Sequence, residues 1–138
     1  MASNGLITVR SPFSAKDTMD RLEAEVKVRG NTVFARVDHA TGAASVGMSL
    51  RPTEVLIFGN PKAGTALMQA NQTIGIDLPL RALVYEDGAG AVWVAYNDPS
   101  WLARRHGLGG TLDRNVAAIA AALKSIVDKV IQSPGSGG

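Results

Sequence analysis

The stretch RALVYEDGAGAVWVAY, residues 81–96, decides the fold class. Arg81 to Tyr85 and Val92 to Tyr96 are rich in β-branched and aromatic residues, which is typical of strands. Between them lies Asp87-Gly88-Ala89-Gly90, whose aspartate and glycines are typical of a hairpin turn. Because a hairpin joins antiparallel neighbours, the sequence predicts an antiparallel pair of strands here.

Three further strands are predicted upstream of the hairpin. They span Leu6 to Val9, Thr32 to Val37 and Thr53 to Phe58, where short β-type runs are bounded by polar residues and glycine. The segments 38–45 and 71–79 lack a periodic apolar pattern, so they are predicted as loops.

Helix starts and stops lie between these strands. Ser14 is a predicted N-cap, and Gly30 follows the last turn of that helix in the position that favours glycine. Asn60-Pro61 and Asp98-Pro99 each predict another helix start, because a capping side chain precedes a proline in the first turn. Since helices and strands do not alternate strictly, we expect an α+β fold, with a mainly antiparallel sheet and helices packed on one face.

The last segment, Thr111 to Gln132, has the strongest periodic pattern and predicts an amphipathic helix. Its apolar stripe is spaced four and three residues apart and consists of Leu112, Val116, Ile119, Leu123, Ile126 and Val130. Neighbouring alanines keep the surface beside the stripe thin, so another backbone can approach closely. Two interpretations stay open: the stripe packs on its own domain, or it also contacts a second subunit.

Composition excludes several classes of protein. The chain has 138 residues, of which 46% are hydrophobic and 19% charged, and its formal net charge is +2. Disordered chains have fewer apolar residues and more net charge. The longest apolar run, Val116 to Leu123, is too short for a membrane span, and no basic run favours nucleic acid. The absence of cysteine excludes disulfides and thiolate sites.

We expect one α+β domain over residues 5–107, followed by the amphipathic helix at 111–132. Residues 133–138 are rich in glycine and serine, which is typical of a flexible linker. The first four residues have no basic stretch followed by an apolar one, so no signal peptide is predicted there.

Two histidines are the first candidates for chemistry. His39 follows Asp38 at the end of a predicted strand, and His106 ends a short predicted helix. Neutral imidazoles with carboxylates bind transition metals, so His39 and His106 are weak candidates for a metal, cofactor or enzyme site. No His-x-x-x-His spacing is present, which favours surface or structural roles. The helix dipole by itself explains a histidine at the position of His106.

Four more polar residues are candidates for ligand contacts. Asn60 and Lys62 begin a predicted helix whose N-terminal amides favour anions. Gly64 stands where a phosphate-binding loop requires lysine, which excludes nucleotide hydrolysis. Arg51 and Glu54 lie at the start of a predicted strand. Glu54 is interpreted either as half of an ion pair at the sheet edge or as a polar group that faces a pocket.

From Phe58 to Asp98 the sequence resembles the domain of unknown function 302 family. The segments that carry the resemblance are Phe58-Gly59-Asn60-Pro61-Lys62, Leu67-Met68-Gln69, Ile74-Gly75-Ile76-Asp77-Leu78-Pro79, Leu83-Val84-Tyr85-Glu86-Asp87 and Tyr96-Asn97-Asp98-Pro99. Upstream, residues 33–39 and 50–54 fit the same family.

The resemblance implies a small α+β domain, similar to the TATA-binding-protein-like class, that forms homodimers. It also implies a periplasmic or secreted protein, with the cytoplasm as the alternative, since many relatives are exported by bacteria. Relatives often have a cysteine where Ala70 stands and another after Gly109, and this chain has neither. The family has no settled biochemical activity.

The sequence therefore predicts a non-catalytic homodimeric module that binds an unknown small ligand without a cofactor. Its predicted pocket lies between the sheet and the loop of His39, with Arg51, Glu54 and His106 as polar contacts. The alternatives are an interaction module that uses the C-terminal stripe, and a metal site or enzyme that uses His39 with a carboxylate.

Overall fold

The structure, a computed structural model, describes residues 4–133 and contains a five-stranded antiparallel sheet. The strands are β1 (Leu6–Ser11), β2 (Thr32–Asp38), β3 (Thr53–Gly59), β4 (Leu80–Glu86) and β5 (Val92–Asn97). The helices are α1 (Ala15–Val28), α2 (His39–Ser45), α3 (Pro61–Ala70), α4 (Pro99–Arg105) and α5 (Asp113–Val130), with 3₁₀ turns at Gln72–Asp77 and Gly110–Leu112. The order across the sheet is β1-β5-β4-β3-β2. The predicted α+β class is confirmed.

Local signals in the sequence set the helix ends. The Ser14 hydroxyl accepts the backbone N–H of Asp17 at 3.1 Å, which confirms the predicted N-cap of α1. At the other end, Gly30 has a φ of +81°, a left-handed conformation that glycine adopts without steric strain. Asn60 and Asp98 accept backbone N–H groups in the first turns of α3 and α4, as predicted.

Two segments that were predicted as loops are partly helical. Residues 38–45 contain α2, because Asp38 accepts the N–H of Thr41 at 3.0 Å and the alanines that follow favour helix. Residues 71–79 contain a 3₁₀ turn that Asn71 caps in the same manner. Both helical segments are short, and α2 exposes most of its residues while the 3₁₀ turn exposes half, so they lack the apolar periodicity that identifies a longer helix.

One face of the sheet carries the main core, and α1 and α5 pack against it. The buried residues of this core are Met19, Leu22, Val26, Leu56, Phe58, Ala82, Val84, Val92, Val94, Tyr96, Leu123, Ile126, Val127 and Val130. Because side chains alternate along a strand, the residues between these lie on the opposite face of the sheet. We call that opposite face, which points away from α1 and α5, the outer face.

The apolar stripe of α5 lies within the chain's own packing. Leu123, Ile126 and Val130 are buried in the main core. The other three stripe residues belong to a second cluster, which contains Leu67, Met68, Ile74, Ala103, Leu112, Val116 and Ile119. The segment predicted as a separate helix at 111–132 therefore shares both cores with the rest of the fold.

Within residues 4–133, no helix combines the length and the apolar character that crossing a bilayer requires. The predicted linker, apart from Ser133, lies outside the described residues.

Candidate functional site

His106 is buried and joins α4 to the 3₁₀ turn that precedes β4. Its Nε2 lies 2.5 Å from Asp77 Oδ2, and its Nδ1 lies 2.8 Å from the Thr73 hydroxyl. Arg105 donates to both carboxylate oxygens of Asp77, and Asn71 Nδ2 donates to the His106 carbonyl at 2.6 Å. Both ring nitrogens of His106 are therefore engaged by protein groups. Its partner Asp77 lies 29 positions away in the sequence, so no local pattern identifies the pair.

Glu54 lies on the helix side of the sheet and pairs with Arg36. Arg36 Nε and Nη2 donate to the two Glu54 oxygens at 2.7 and 3.0 Å, and the same guanidinium reaches Glu23 at 2.9 Å and Asp20 at 3.0 Å. These partners, Glu54 above all, raise the pKa of Arg36. The bond from Arg36 is the main cause that lowers the pKa of Glu23, whereas the pKa of Asp20 is lowered chiefly by Lys16. Glu54 thus ties the sheet to α1.

The other four predicted contacts lie apart from these clusters. His39 is the exposed first residue of α2, and Arg51 is exposed beside Gly88 in the β4–β5 turn. Lys62 is exposed in the first turn of α3, where its backbone N–H donates to Asn60 Oδ1 at 2.9 Å. The six predicted residues therefore do not converge on one pocket. In the described part of the chain, no three histidine or carboxylate side chains gather as metal ligands.

An apolar cleft lies between α3 and α5. Its volume is about 690 Å³, within the range typical of small-molecule sites. It lies at the end of the sheet where β3 ends and β4 begins, and its lining includes Phe58, Leu67, Ile74, Leu80, Ile119 and Leu123. Of the six predicted contact residues, Asn60 alone lines this α3–α5 cleft.

Small residues on both helices keep the cleft open. Ala63 and Gly64 line it from α3, and Ala118 and Ala122 line it from α5. The alanines of α5 were predicted to let another backbone approach closely. Two of them, Ala118 and Ala122, border the open space of the cleft, which residues of α3 line from the other side. The small residues are visible in the sequence, but only the relative placement of α3 and α5 shows that they border a cleft.

One charged group borders this uncharged space. Among the described residues that line the cleft, Arg29 is the only charged one. Its Nε donates to Glu25 at 2.7 Å and its Nη2 to Ser125 at 3.0 Å. A guanidinium has five N–H groups, so donors remain for a ligand.

The cleft is elongated along α5, and its charge lies at one end. The lining of α5 runs from Asn115 to Ile126, which is about 16 Å at the rise of an α-helix. Because Arg29 bonds to Ser125, it lies at the Ile126 end of this run. The uncharged amide of Asn115 marks the opposite end. The site therefore has an apolar length and, at one end, a guanidinium that is paired with Glu25.

The sequence matches the family described as Domain of unknown function DUF302 over residues 7–130. The crystal structure of an uncharacterized conserved protein DUF302 from Bacillus stearothermophilus has the same fold, with a TM-score of 0.72. Its sequence is 21% identical, and the alignment covers 92% of this chain and 95% of that one. The resemblance read from the sequence motifs is thus confirmed.

Two curated relatives are 53% identical to this chain over 116 residues. They are named Fluoride-specific ion channel FluC 1, from Brucella suis biovar 1 (strain 1330) and from Brucella abortus biovar 1 (strain 9-941). The match covers 84% of this chain but only 46% and 43% of those two proteins. The chain therefore spans less than half the length of the curated relatives that it matches.

Proposed function

The chain belongs to the DUF302 family, and we propose that it is a non-catalytic module that binds an elongated amphipathic carboxylate, of the fatty-acid class, in the α3–α5 cleft. The observation that carries this proposal is an apolar cleft with one guanidinium at its end. Apolar walls favour a hydrocarbon chain, and a guanidinium pairs with a carboxylate through charge-assisted hydrogen bonds. The polar clusters around His106 and Arg36 are engaged within the protein and are assigned structural roles.

Titration with dodecanoate tests the cleft. A ligand that binds only the folded chain raises the melting temperature, so we expect a rise that grows with dodecanoate concentration. Ala122→Leu should weaken binding by at least about tenfold, because the larger side chain enters the cleft. Ala121→Leu is the matched control, since Ala121 is exposed on the same helix and does not line the cleft. Equal affinity in the two variants would contradict the proposal.

The role of Arg29 is tested with two ligands of equal chain length. Arg29→Gln should lower the affinity for dodecanoate about tenfold through loss of the charged hydrogen bonds, and leave the affinity for dodecanol unchanged. Isothermal titration calorimetry measures both affinities. If the variant loses affinity for both ligands equally, Arg29 has a structural role and the proposed pairing with a carboxylate is wrong.

Homodimer formation, which the family resemblance implies, is the second part of the proposal. The segment after α2 supports it, because Val46, Met48 and Leu50 are 71%, 66% and 49% exposed and α2 buries no residue. We expect Val46→Ser with Met48→Ser to shift the chain from dimer to monomer in sedimentation velocity. Val28→Ser is the control, because that exposed valine stands at the end of α1. A double variant that stays dimeric would exclude this surface.

The two channel relatives suggest a setting for the domain. We propose that their channel activity belongs to the half that this chain does not match, and that the DUF302 part is an accessory domain beside a membrane. The Bacillus stearothermophilus protein supports the proposal that this domain is a separate folding unit, because the shared fold covers 95% of its chain. A periplasmic or secreted location is proposed from the family resemblance alone.

A further inference from the structure

The outer face of the sheet is apolar at its centre, on four of the five strands. One row of paired residues crosses all five strands and consists of Thr8, Ala95, Leu83, Val55 and Val37. The next row on the same face contains Trp93 and Tyr85, which pair with each other. Val37 is 40% exposed at the β2 edge. Aromatic residues with a polar tip beside exposed aliphatic ones are typical of surfaces that meet the interfacial region of a bilayer.

Three arginines lie on or beside this face. Arg10 and Arg81 are its charged strand residues, and Arg51 stands beside it at the β4–β5 turn. Arg10 lies over the Trp93 ring at 5.8 Å, and Asp87 in the turn accepts the indole N–H at 2.9 Å. Among described residues, none of the three arginines belongs to an ion pair. Three arginines and the single carboxylate of Asp87 leave a formal charge of +2 among these four groups.

We infer that the outer face docks on an anionic lipid surface. Cationic side chains around an apolar patch complement negatively charged headgroups. A second copy of this chain fits less well, because two such faces would bring arginines against arginines. The proposed setting beside a membrane channel agrees with this partner, although the inference depends on the charge and shape of the face.

Vesicle binding tests the inference on the full chain. We expect the protein to co-sediment with vesicles of phosphatidylcholine and phosphatidylglycerol, and not with vesicles of phosphatidylcholine alone. Each arginine near the surface contributes about fivefold, so Arg10→Gln with Arg81→Gln should weaken partitioning by about 25-fold. The control pair is Arg104→Gln with Arg114→Gln, which removes the same charge from exposed helix positions and should have a much smaller effect.

Trp93 provides a second measurement that does not depend on the arginine variants. In a Trp101→Phe background, its fluorescence should shift to the blue on anionic vesicles and return in high salt, which screens the headgroups. Equal weakening by both arginine pairs, or binding without a Trp93 shift, would overturn the inference. If the outer face is instead covered by a second copy of the protein, and does not bind vesicles, the inference would also be overturned. Loss of dodecanoate binding would leave all of these outcomes unchanged.

Discussion

Replacing Leu123 by alanine should lower the free energy of unfolding by about 2–5 kcal/mol. Leu123 is 2% exposed and packs in the main core, where α5 meets α1 and the sheet. Truncation removes apolar contacts in the core and leaves empty space next to the α3–α5 cleft, which Leu123 also lines. Urea unfolding followed by circular dichroism measures the loss.

The neighbouring Lys124→Ala serves as the control for this prediction. Lys124 is exposed and pairs with Asp128 one turn away, so its loss should change stability far less than the loss of Leu123. If Leu123→Ala were as mild as Lys124→Ala, α5 would not be docked on its own domain. The apolar stripe would then be available to contact a second subunit, which is the alternative interpretation of the sequence.

Replacing Arg36 by methionine should lower the free energy of unfolding by about 2–3 kcal/mol at neutral pH. The guanidinium joins Glu54, Glu23 and Asp20, so its removal leaves three carboxylates close together without their common cation. The expected loss of free energy of unfolding is smaller than for a fully buried ion pair because the Arg36 side chain is partly exposed. Lys16→Met is the control, since its pair with Asp20 is at the surface and contributes little.

The acid side of the stability curve provides a second test of the role of Arg36. The folded-state pKa values of Asp20 and Glu23 are lowered, so their stabilisation is present above their ordinary pKa values of about 4. It is lost as the pH falls below that range and the two groups are protonated. Arg36→Met should flatten the acid limb of the stability curve, because the main cause of the Glu23 shift is removed. An unchanged acid limb would contradict this account.

Much of the fold could be predicted because its signals are local. The hairpin at residues 81–96, the cap at Ser14 and the stop at Gly30 each depend on a few neighbouring residues. The 3₁₀ turn after Asn71 is also capped locally, but it is too short to display a period. Element type was therefore predictable where local end signals accompany a segment that is long enough to display a pattern.

The site was less predictable because it is assembled from distant parts of the chain. The sequence placed the pocket by His39, yet the cleft lies at the other end of the sheet. His106 and Asp77 meet across 29 positions, and Glu54 pairs with Arg36 and not with nearby Arg51. Polar residues are the usual signature of a binding site, whereas this cleft is lined mainly by apolar side chains that also resemble ordinary core.

Methyl-resolved NMR during a dodecanoate titration tests the central claim most directly. The account predicts saturable shifts of the Ile74 and Ile119 methyl groups, which line the α3–α5 cleft. The methyl groups of Val84 and Val94, which lie in the main core and do not line the cleft, should stay unchanged. Saturable shifts confined to other residues, or no shift at any dodecanoate concentration below its micelle limit, would contradict the account.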